Sequence, residues 1–103
     1  MNLDEINQKE LIPGFHGQFV HSESMTLAIW NIDEGSTAPE HSHPHEQISM
    51  VIEGQFELTV EEKSKILHPG VVATIPSNVL HAGRALTQCV LLDIFHPVRE
   101  DLR

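Results

Sequence analysis

The chain has 103 residues, of which six are Lys or Arg and fifteen are Asp or Glu, so its formal net charge is −9. This length predicts one domain, residues 1–103, with one small core. A charge this negative disfavours binding to nucleic acid and to anionic membrane surfaces, because both carry the same sign. No apolar run is long enough for a transmembrane helix and no secretory leader is visible, so we expect a cytoplasmic protein.

Short apolar runs separated by turn residues predict an all-β fold. Residues 1–13 are expected to form a helical or irregular N-terminal arm, which Pro13-Gly14 closes. The predicted strands are, in chain order, 14–21, 25–32, a hairpin of 47–53 and 55–60 split at Gly54, 71–75, the pair 79–82 and 85–87 flanking Gly83, and 89–95. The predicted turns are 33–36, 61–64 and 68–70. Strands of this length and spacing indicate a sandwich or barrel.

Three of the eight histidines lie close together, at positions 41, 43 and 45. On a single strand, alternate residues share a face, so His41, His43 and His45 would lie on one side together with Gln47. Neutral imidazole is the commonest metal ligand, and a His-x-His pair can hold one ion. We interpret the segment as part of a metal site that a distant histidine completes. The alternative is a solvated polar loop rich in histidine.

The last predicted strand carries a carboxylate among apolar residues. By alternation, Leu91, Asp93 and Phe95 share one face of this strand. A carboxylate in an apolar setting is costly unless it is paired or solvated. A cavity that holds a metal and a substrate would account for Asp93. The alternative is an edge position with an ion pair to Arg84 or Arg99.

Three further features bear on packing. Ile48, Met50 and Ile52 form an apolar face that is a candidate for contact with a second copy of the chain. Cys89, the single cysteine, lies in an apolar run and is expected to be a buried, reduced thiol. Trp30 is expected in the core.

Two spaced motifs resemble those of the cupins. The first consists of Gly35, His41, His43, Gln47 and Gly54, and the second of Gly70, Pro76, Asn78 and His81. The resemblance spans Gly35 to His81. It implies an all-β double-stranded β-helix, or jelly-roll barrel, that usually forms a homodimer. It also implies a divalent metal held by three histidines and a glutamine: His41, His43, Gln47 and His81.

Three positions depart from the cupin pattern. Gln47 stands where most cupins have Glu, Asn78 where the second motif has Gly, and Ala85 where that motif ends in Asn. Asn, like Gly, can adopt a positive φ. Four neutral ligands leave the ion its full dipositive charge, which favours Lewis-acid chemistry or anion binding over glutamate-dependent chemistry.

The tail Asp93-x-Phe95-x3-Arg99 resembles one cupin subgroup, the pectin-degradation cupins that open the ring of 4,5-unsaturated monouronates. The resemblance implies that Asp93 is the general acid/base, that Phe95 packs against the sugar and that Arg99 clamps the uronate carboxylate. The metal would be Ni, Zn, Mn or Fe, since several ions accept such a ligand set. Two alternatives stay open: a non-haem metal dioxygenase cupin, and a cupin that binds a small molecule without turning it over.

Overall fold

Alternation of buried and exposed side chains along the chain produces ten strands in the computed structural model, which describes residues 1–103. The strands are β1 (Lys9–Ile12), β2 (Phe15–His21), β3 (Thr26–Ile32), β4 (Thr37–His41), β5 (Glu46–Glu53), β6 (Phe56–Val60), β7 (Lys63–Leu67), β8 (Val72–Ile75), β9 (His81–Ala85) and β10 (Cys89–His96). Single turns of 3-10 helix lie at Leu3–Glu5 and Glu100–Leu102. No helix here has the length and apolar character needed to cross a membrane.

The strands form two antiparallel sheets. One has six strands in the order β1-β2-β3-β10-β5-β8, and the other has four in the order β4-β9-β6-β7. Their inner faces enclose a core of 14 buried residues, to which both sheets contribute, for example Ile32 and Val51 from the first and Leu58 and Leu67 from the second. This arrangement confirms the predicted all-β jelly-roll class.

β10 lies in the interior of the six-stranded sheet, between β3 and β5. Its burial alternates along the whole strand, with Leu91, Asp93 and Phe95 facing inward and each 5% exposed or less. Asp93 is therefore not at a sheet edge. Arg84 pairs with Glu57, and Arg99 pairs with Asp101, so neither arginine forms an ion pair with Asp93.

The structure differs from the prediction at the N-terminal arm and at the predicted hairpin. Part of the arm, residues 9–12, is strand β1, because the chain reverses at Gly14 (φ 82°) and pairs β1 with β2. The predicted hairpin of 47–53 and 55–60 does not form. Gly54 (φ 83°) carries the chain from one sheet to the other, so β5 pairs with β10 and β8 while β6 pairs with β7 and β9.

Gly83 lies inside β9 and does not separate two strands. A Cβ atom at this position would lie 2.2 Å from Cζ of Phe56, so the glycine makes room for an aromatic ring of the neighbouring strand β6. The predicted turn at 61–64 is shorter than expected, because Glu61 and Glu62 both adopt positive φ and β7 begins at Lys63.

Candidate metal centre and cavity

Three imidazoles meet at one end of the barrel. His41 ends β4, and His81 begins β9 directly opposite it in the strand register. His43 lies in the segment 42–45, which crosses from the four-stranded sheet to β5 of the six-stranded sheet. One nitrogen of each ring lies within 4.8 Å of the other two, which places the three predicted histidines together.

The reason for this convergence differs from the one expected. Alternation along one strand would put His41, His43, His45 and Gln47 on a shared face, whereas the segment spans the end of one strand, a loop and the start of another. The crossover and the register between β4 and β9 bring the rings together. His45 offers its backbone carbonyl to His43, and its ring is not part of the cluster.

Backbone carbonyls determine which nitrogen of each ring carries the proton. The three contacts are His41 Nδ1 to Pro39 O at 2.7 Å, His43 Nδ1 to His45 O at 3.0 Å, and His81 Nδ1 to Val79 O at 2.9 Å. A carbonyl oxygen only accepts hydrogen bonds, so each Nδ1 donates. Each neutral ring therefore keeps an unprotonated Nε2, the arrangement found in metal-binding histidines.

Two of these rings are held neutral by their surroundings. Burial lowers the pKa of His43 to about 4, and the nearby Arg99 and His81 contribute to the lowering. Burial also lowers the pKa of His81. An unprotonated imidazole is the form that binds a metal ion.

Gln47 adds an oxygen to the cluster. Its side chain is 7% exposed, and its Oε1 lies 3.1 Å from Nε2 of His43. Both atoms are acceptors when the His43 proton is on Nδ1, so a cation bound by both would satisfy them. The donor set of three imidazole nitrogens and one amide oxygen therefore fits a divalent metal.

Asp93 lies behind Gln47, and it is 4% exposed. Its Oδ2 accepts a hydrogen bond from Trp30 Nε1 at 3.0 Å, and its Oδ1 accepts one from Ser49 Oγ at 2.5 Å. Burial raises the pKa of this carboxyl group, although the hydrogen bond from Ser49, the nearby amide of Gln47 and the hydrogen bond from Trp30 oppose the rise. A raised pKa suits a group that both takes and gives a proton near neutral pH.

Arg99 extends over Phe95 from the segment that follows β10. Its Cζ lies 4.6 Å from the centre of the Phe95 ring, a cation–π contact. Its Nε and Nη2 donate to the two carboxylate oxygens of Asp101 at 2.9 and 2.7 Å. These bonds use one edge of the guanidinium group, so the edge that carries Nη1 stays available to a ligand.

The predicted site residues line one cavity of about 360 Å³. Apolar side chains make up much of the rest of the lining, among them Phe15, Phe56, Leu58, Leu67 and Leu91. This volume suits a small molecule.

Sequence reasoning did not find Ser49, Trp30 and Asp101 as partners of the site. Ser49 could have been found, because it is two residues from Gln47 and so shares its face of β5.

Comparison with known proteins agrees with this geometry. Residues 28–95 match the protein family described as Cupin domain. The chain is 30% identical over 101 residues to the pectin degradation protein KdgF of Dickeya dadantii, an alignment that covers 95% of this chain and 92% of that protein. It is 26% identical over 102 residues to an uncharacterized protein of Streptomyces coelicolor, covering 98% and 86% of the two chains.

Two solved structures are similar over nearly their whole length. KdgF from Halomonas sp. superposes with a TM-score of 0.91 at 28% identity, covering 97% of this chain and 95% of that one. An RmlC-like cupin from Shewanella frigidimarina superposes with a TM-score of 0.94 at 27% identity, covering 100% and 94%. From the family match, the two-sheet fold and the histidine cluster at the mouth of the barrel, we conclude that this chain belongs to the cupin family.

Proposed function

We propose that this cupin is a metal-dependent enzyme that opens the ring of 4,5-unsaturated monouronates by acid/base chemistry. The observation that carries the proposal is one cavity lined by the histidine cluster, a buried carboxyl group at Asp93 and a cation at Arg99. The similarity to a protein named for pectin degradation supports the substrate class.

His41, His43, Gln47 and His81 would hold one divalent ion, Ni, Zn, Mn or Fe. All four donors are neutral, so the ion would keep its full charge near the substrate. When bound, it would act as a Lewis acid on a sugar oxygen. The unprotonated Nε2 atoms and the facing Oε1 of Gln47 support this ligand set.

Arg99 would hold the substrate carboxylate. Its free edge can form a bidentate pair with a carboxylate, and its Cζ lies over the Phe95 ring. Phe95 is 3% exposed and lines the cavity, so it would also present an apolar wall to the sugar ring. A net charge of −9 does not prevent anion binding here, because a dipositive ion held by neutral ligands, together with Arg99, would make the cavity locally positive.

Asp93 would move the proton. It would take a proton from the anomeric hydroxyl and return one to the enol carbon C4. The bond between C1 and the ring oxygen breaks, a carbonyl forms at C1, and the electrons of the 4,5-double bond accept the proton at C4 as a second carbonyl forms at C5. The reaction is an isomerisation with no change in oxidation level overall, so no redox partner is needed.

The test follows the absorbance of the 4,5-double bond in a purified unsaturated monouronate. We expect Asp93→Ala and Arg99→Ala each to lower the rate at least about 100-fold, as loss of a positioned acid/base or of the substrate clamp would do. The control is Arg84→Ala, because Arg84 is exposed and pairs with Glu57 away from the cavity. Full activity in either cavity variant would overturn the proposal.

Two other functions of the same cavity are distinguished with the same protein. Oxygen consumption by the ferrous form would assign a dioxygenase and overturn the proposal. Tight binding of the uronate without loss of the double bond would assign a non-catalytic binding protein and would also overturn it.

We propose further that the chain forms a homodimer through the outer face of the six-stranded sheet. Leu92 lies between Ile29 and Met50 in this sheet, and Ile94 lies between Leu27 and Ile48. Apolar residues thus form a continuous outer surface on three neighbouring strands, which is unusual for a face open to water.

We place the protein in the cytoplasm. Burial of Cys89 raises the pKa of its thiol to about 11, which is consistent with a reduced cysteine there.

A further inference from the structure

A series of hydrogen bonds runs into the core from Gln47, which lies beside the histidine cluster. Gln47 Oε1 faces Nε2 of His43 at 3.1 Å, and Gln47 Nε2 donates to Ser49 Oγ at 2.9 Å. Ser49 Oγ donates to Asp93 Oδ1, whose other oxygen accepts from Trp30. Gln47, Ser49 and Asp93 are each 7% exposed or less, so water does not substitute for these partners.

The Ser49 hydroxyl determines which groups donate and which accept in this series of hydrogen bonds. A hydroxyl has one proton to donate. Since Ser49 accepts from the amide of Gln47, its own proton goes to the carboxylate of Asp93, which lies opposite it in the register of β5 and β10. The residue at position 47 must therefore donate toward Ser49. An amide can donate, whereas a carboxylate cannot.

We propose that Ser49 is a positioning residue that requires glutamine at position 47 and turns its Oε1 toward the histidine cluster. The inference rests on the proposed metal site, and it accounts for the departure at Gln47 from the glutamate that most cupins have. An ionised Glu at position 47 would have no proton to donate to Ser49, so it and Asp93 would both act as acceptors and one buried oxygen would lose its donor.

The first test is metal affinity. Metal-free protein is titrated with nickel chloride and, separately, with zinc chloride in a calorimeter. We expect Ser49→Ala to weaken binding about 10-fold or more, the effect typical of losing a group that orients a ligand. Ser64→Ala is the matched control, because the Ser64 hydroxyl bonds to Thr59 on an exposed hairpin.

The outcomes separate this inference from the proposed function. If the wild-type protein binds neither ion, the proposed metal site itself fails. If the wild-type protein binds and Ser49→Ala binds equally well, the metal site stands and the role of Ser49 is refuted.

The second test reverses the direction of the hydrogen bonds between position 47, Ser49 and position 93 while Ser49 is intact. In an Asp93→Asn variant, the new amide can accept from Trp30 and donate to Ser49, so the Ser49 proton turns toward position 47. Glutamate now suits that position and glutamine does not. The quantity compared is the nickel affinity with Glu at position 47 divided by that with Gln. We expect this ratio to be at least about 10-fold larger in the Asp93→Asn protein than in the wild-type background.

Repulsion between two carboxylates would also couple positions 47 and 93, and a third background distinguishes it. The same comparison, Gln47→Glu with and without Asp93→Asn, is repeated in the Ser49→Ala protein. We expect the coupling to fall below about 3-fold, because the hydroxyl that carries it is gone. Coupling that survives in the Ser49→Ala protein overturns the proposal. Thermal melts of each metal-free variant verify that the proteins compared are folded, and an absence of coupling between positions 47 and 93 while Ser49 is intact overturns the proposal even where Ser49→Ala is unstable.

Discussion

At the scale of single residues, the guanidinium group of Arg99 is already ordered by two partners. The Phe95 ring lies under its Cζ, and Asp101 binds one of its edges. The Arg99 side chain is 14% exposed, whereas Asp101 is 59% exposed. The carboxylate of Asp101 is therefore well solvated and would compete little with an anionic substrate, while it holds the arginine in place.

Replacing Asp101 tests this positioning. We expect Asp101→Asn to raise KM for the unsaturated monouronate about 3-fold, because a half-exposed ion pair contributes less than about 1 kcal/mol to ordering Arg99, and to leave kcat unchanged. Steady-state kinetics measure both constants. Glu100→Gln is the control, since Glu100 pairs with Arg103 on the surface. A KM that stays equal or falls in Asp101→Asn would show that Asp101 does not position the arginine.

The lowered pKa of His43 predicts how stability depends on pH. Its pKa is about 4 in the folded chain and 6.5 when unperturbed, so between these values the unfolded chain binds the proton more readily. The contribution of the neutral ring is fully present above about pH 6.5 and is lost as the pH falls toward 4. Asp93, with a raised pKa, acts with the opposite sign in the acid range.

We therefore expect the Tm of the metal-free protein to fall from about pH 6.5 to about pH 4 less steeply in His43→Gln than in the wild type. Circular dichroism melts at several pH values measure this slope. Both proteins contain Asp93, so the difference between their slopes reports the contribution of the His43 ring alone. His68→Gln is the control, because His68 is exposed in a turn. Equal slopes in His43→Gln and the wild type would contradict the prediction.

At the scale of elements, the burial pattern explains which strands could be predicted. β3 and β10 alternate between buried and partly exposed residues along nearly their whole length, and the sequence predicts both. β1, β4 and β7 are sheet edges, and Leu67 is the one residue of these three strands that is buried. An edge strand buries few side chains, so its sequence carries little periodicity.

Gly83 tests the packing of β9 on β6. We expect Gly83→Ala to lower the free energy of unfolding by about 1–3 kcal/mol, because its methyl group would overlap the Phe56 ring. Urea unfolding followed by tryptophan fluorescence measures the change. The double variant Gly83→Ala/Phe56→Leu should lose less than the sum of the two single variants, since the smaller side chain removes the overlap. Strictly additive losses would exclude the proposed steric cause.

At the scale of the whole molecule, the two faces of the six-stranded sheet have different functions in our proposals. The inner face contributes Gln47, Ser49 and Asp93 to the cavity, and the outer face presents aliphatic side chains. Ile48 is 43% exposed and Val72 is 51% exposed on that outer face. An interface there would bury apolar surface without covering the mouth of the barrel.

We expect the wild-type protein to sediment as a dimer and Ile48→Lys to sediment as a monomer, because a charge would have to be buried at the interface. Sedimentation equilibrium measures the mass. Ile66→Lys is the matched control: Ile66 is 50% exposed but lies on β7, in the other sheet, and this variant should stay dimeric. A monomeric wild type would refute the dimer.

The sequence by itself determined the fold class and the candidate ligand types, because alternation and motif spacing are local properties. The spacing of His41 and His43, the glutamine four residues later and the distant His81 are all readable in the amino-acid sequence. The sequence also groups Leu91, Asp93 and Phe95 on one face of this strand, but both faces are apolar, so the burial of that face was decided only by the structure.

Only the tertiary structure decided how these groups meet. His41 and His81 are opposed because β4 pairs with β9, and Ser49 reaches Asp93 because β5 pairs with β10. Trp30 and Asp93 are bonded across 63 positions of sequence. Strand order and register set such contacts, and both depend on how the two sheets bury their faces against each other, which no short stretch of sequence encodes.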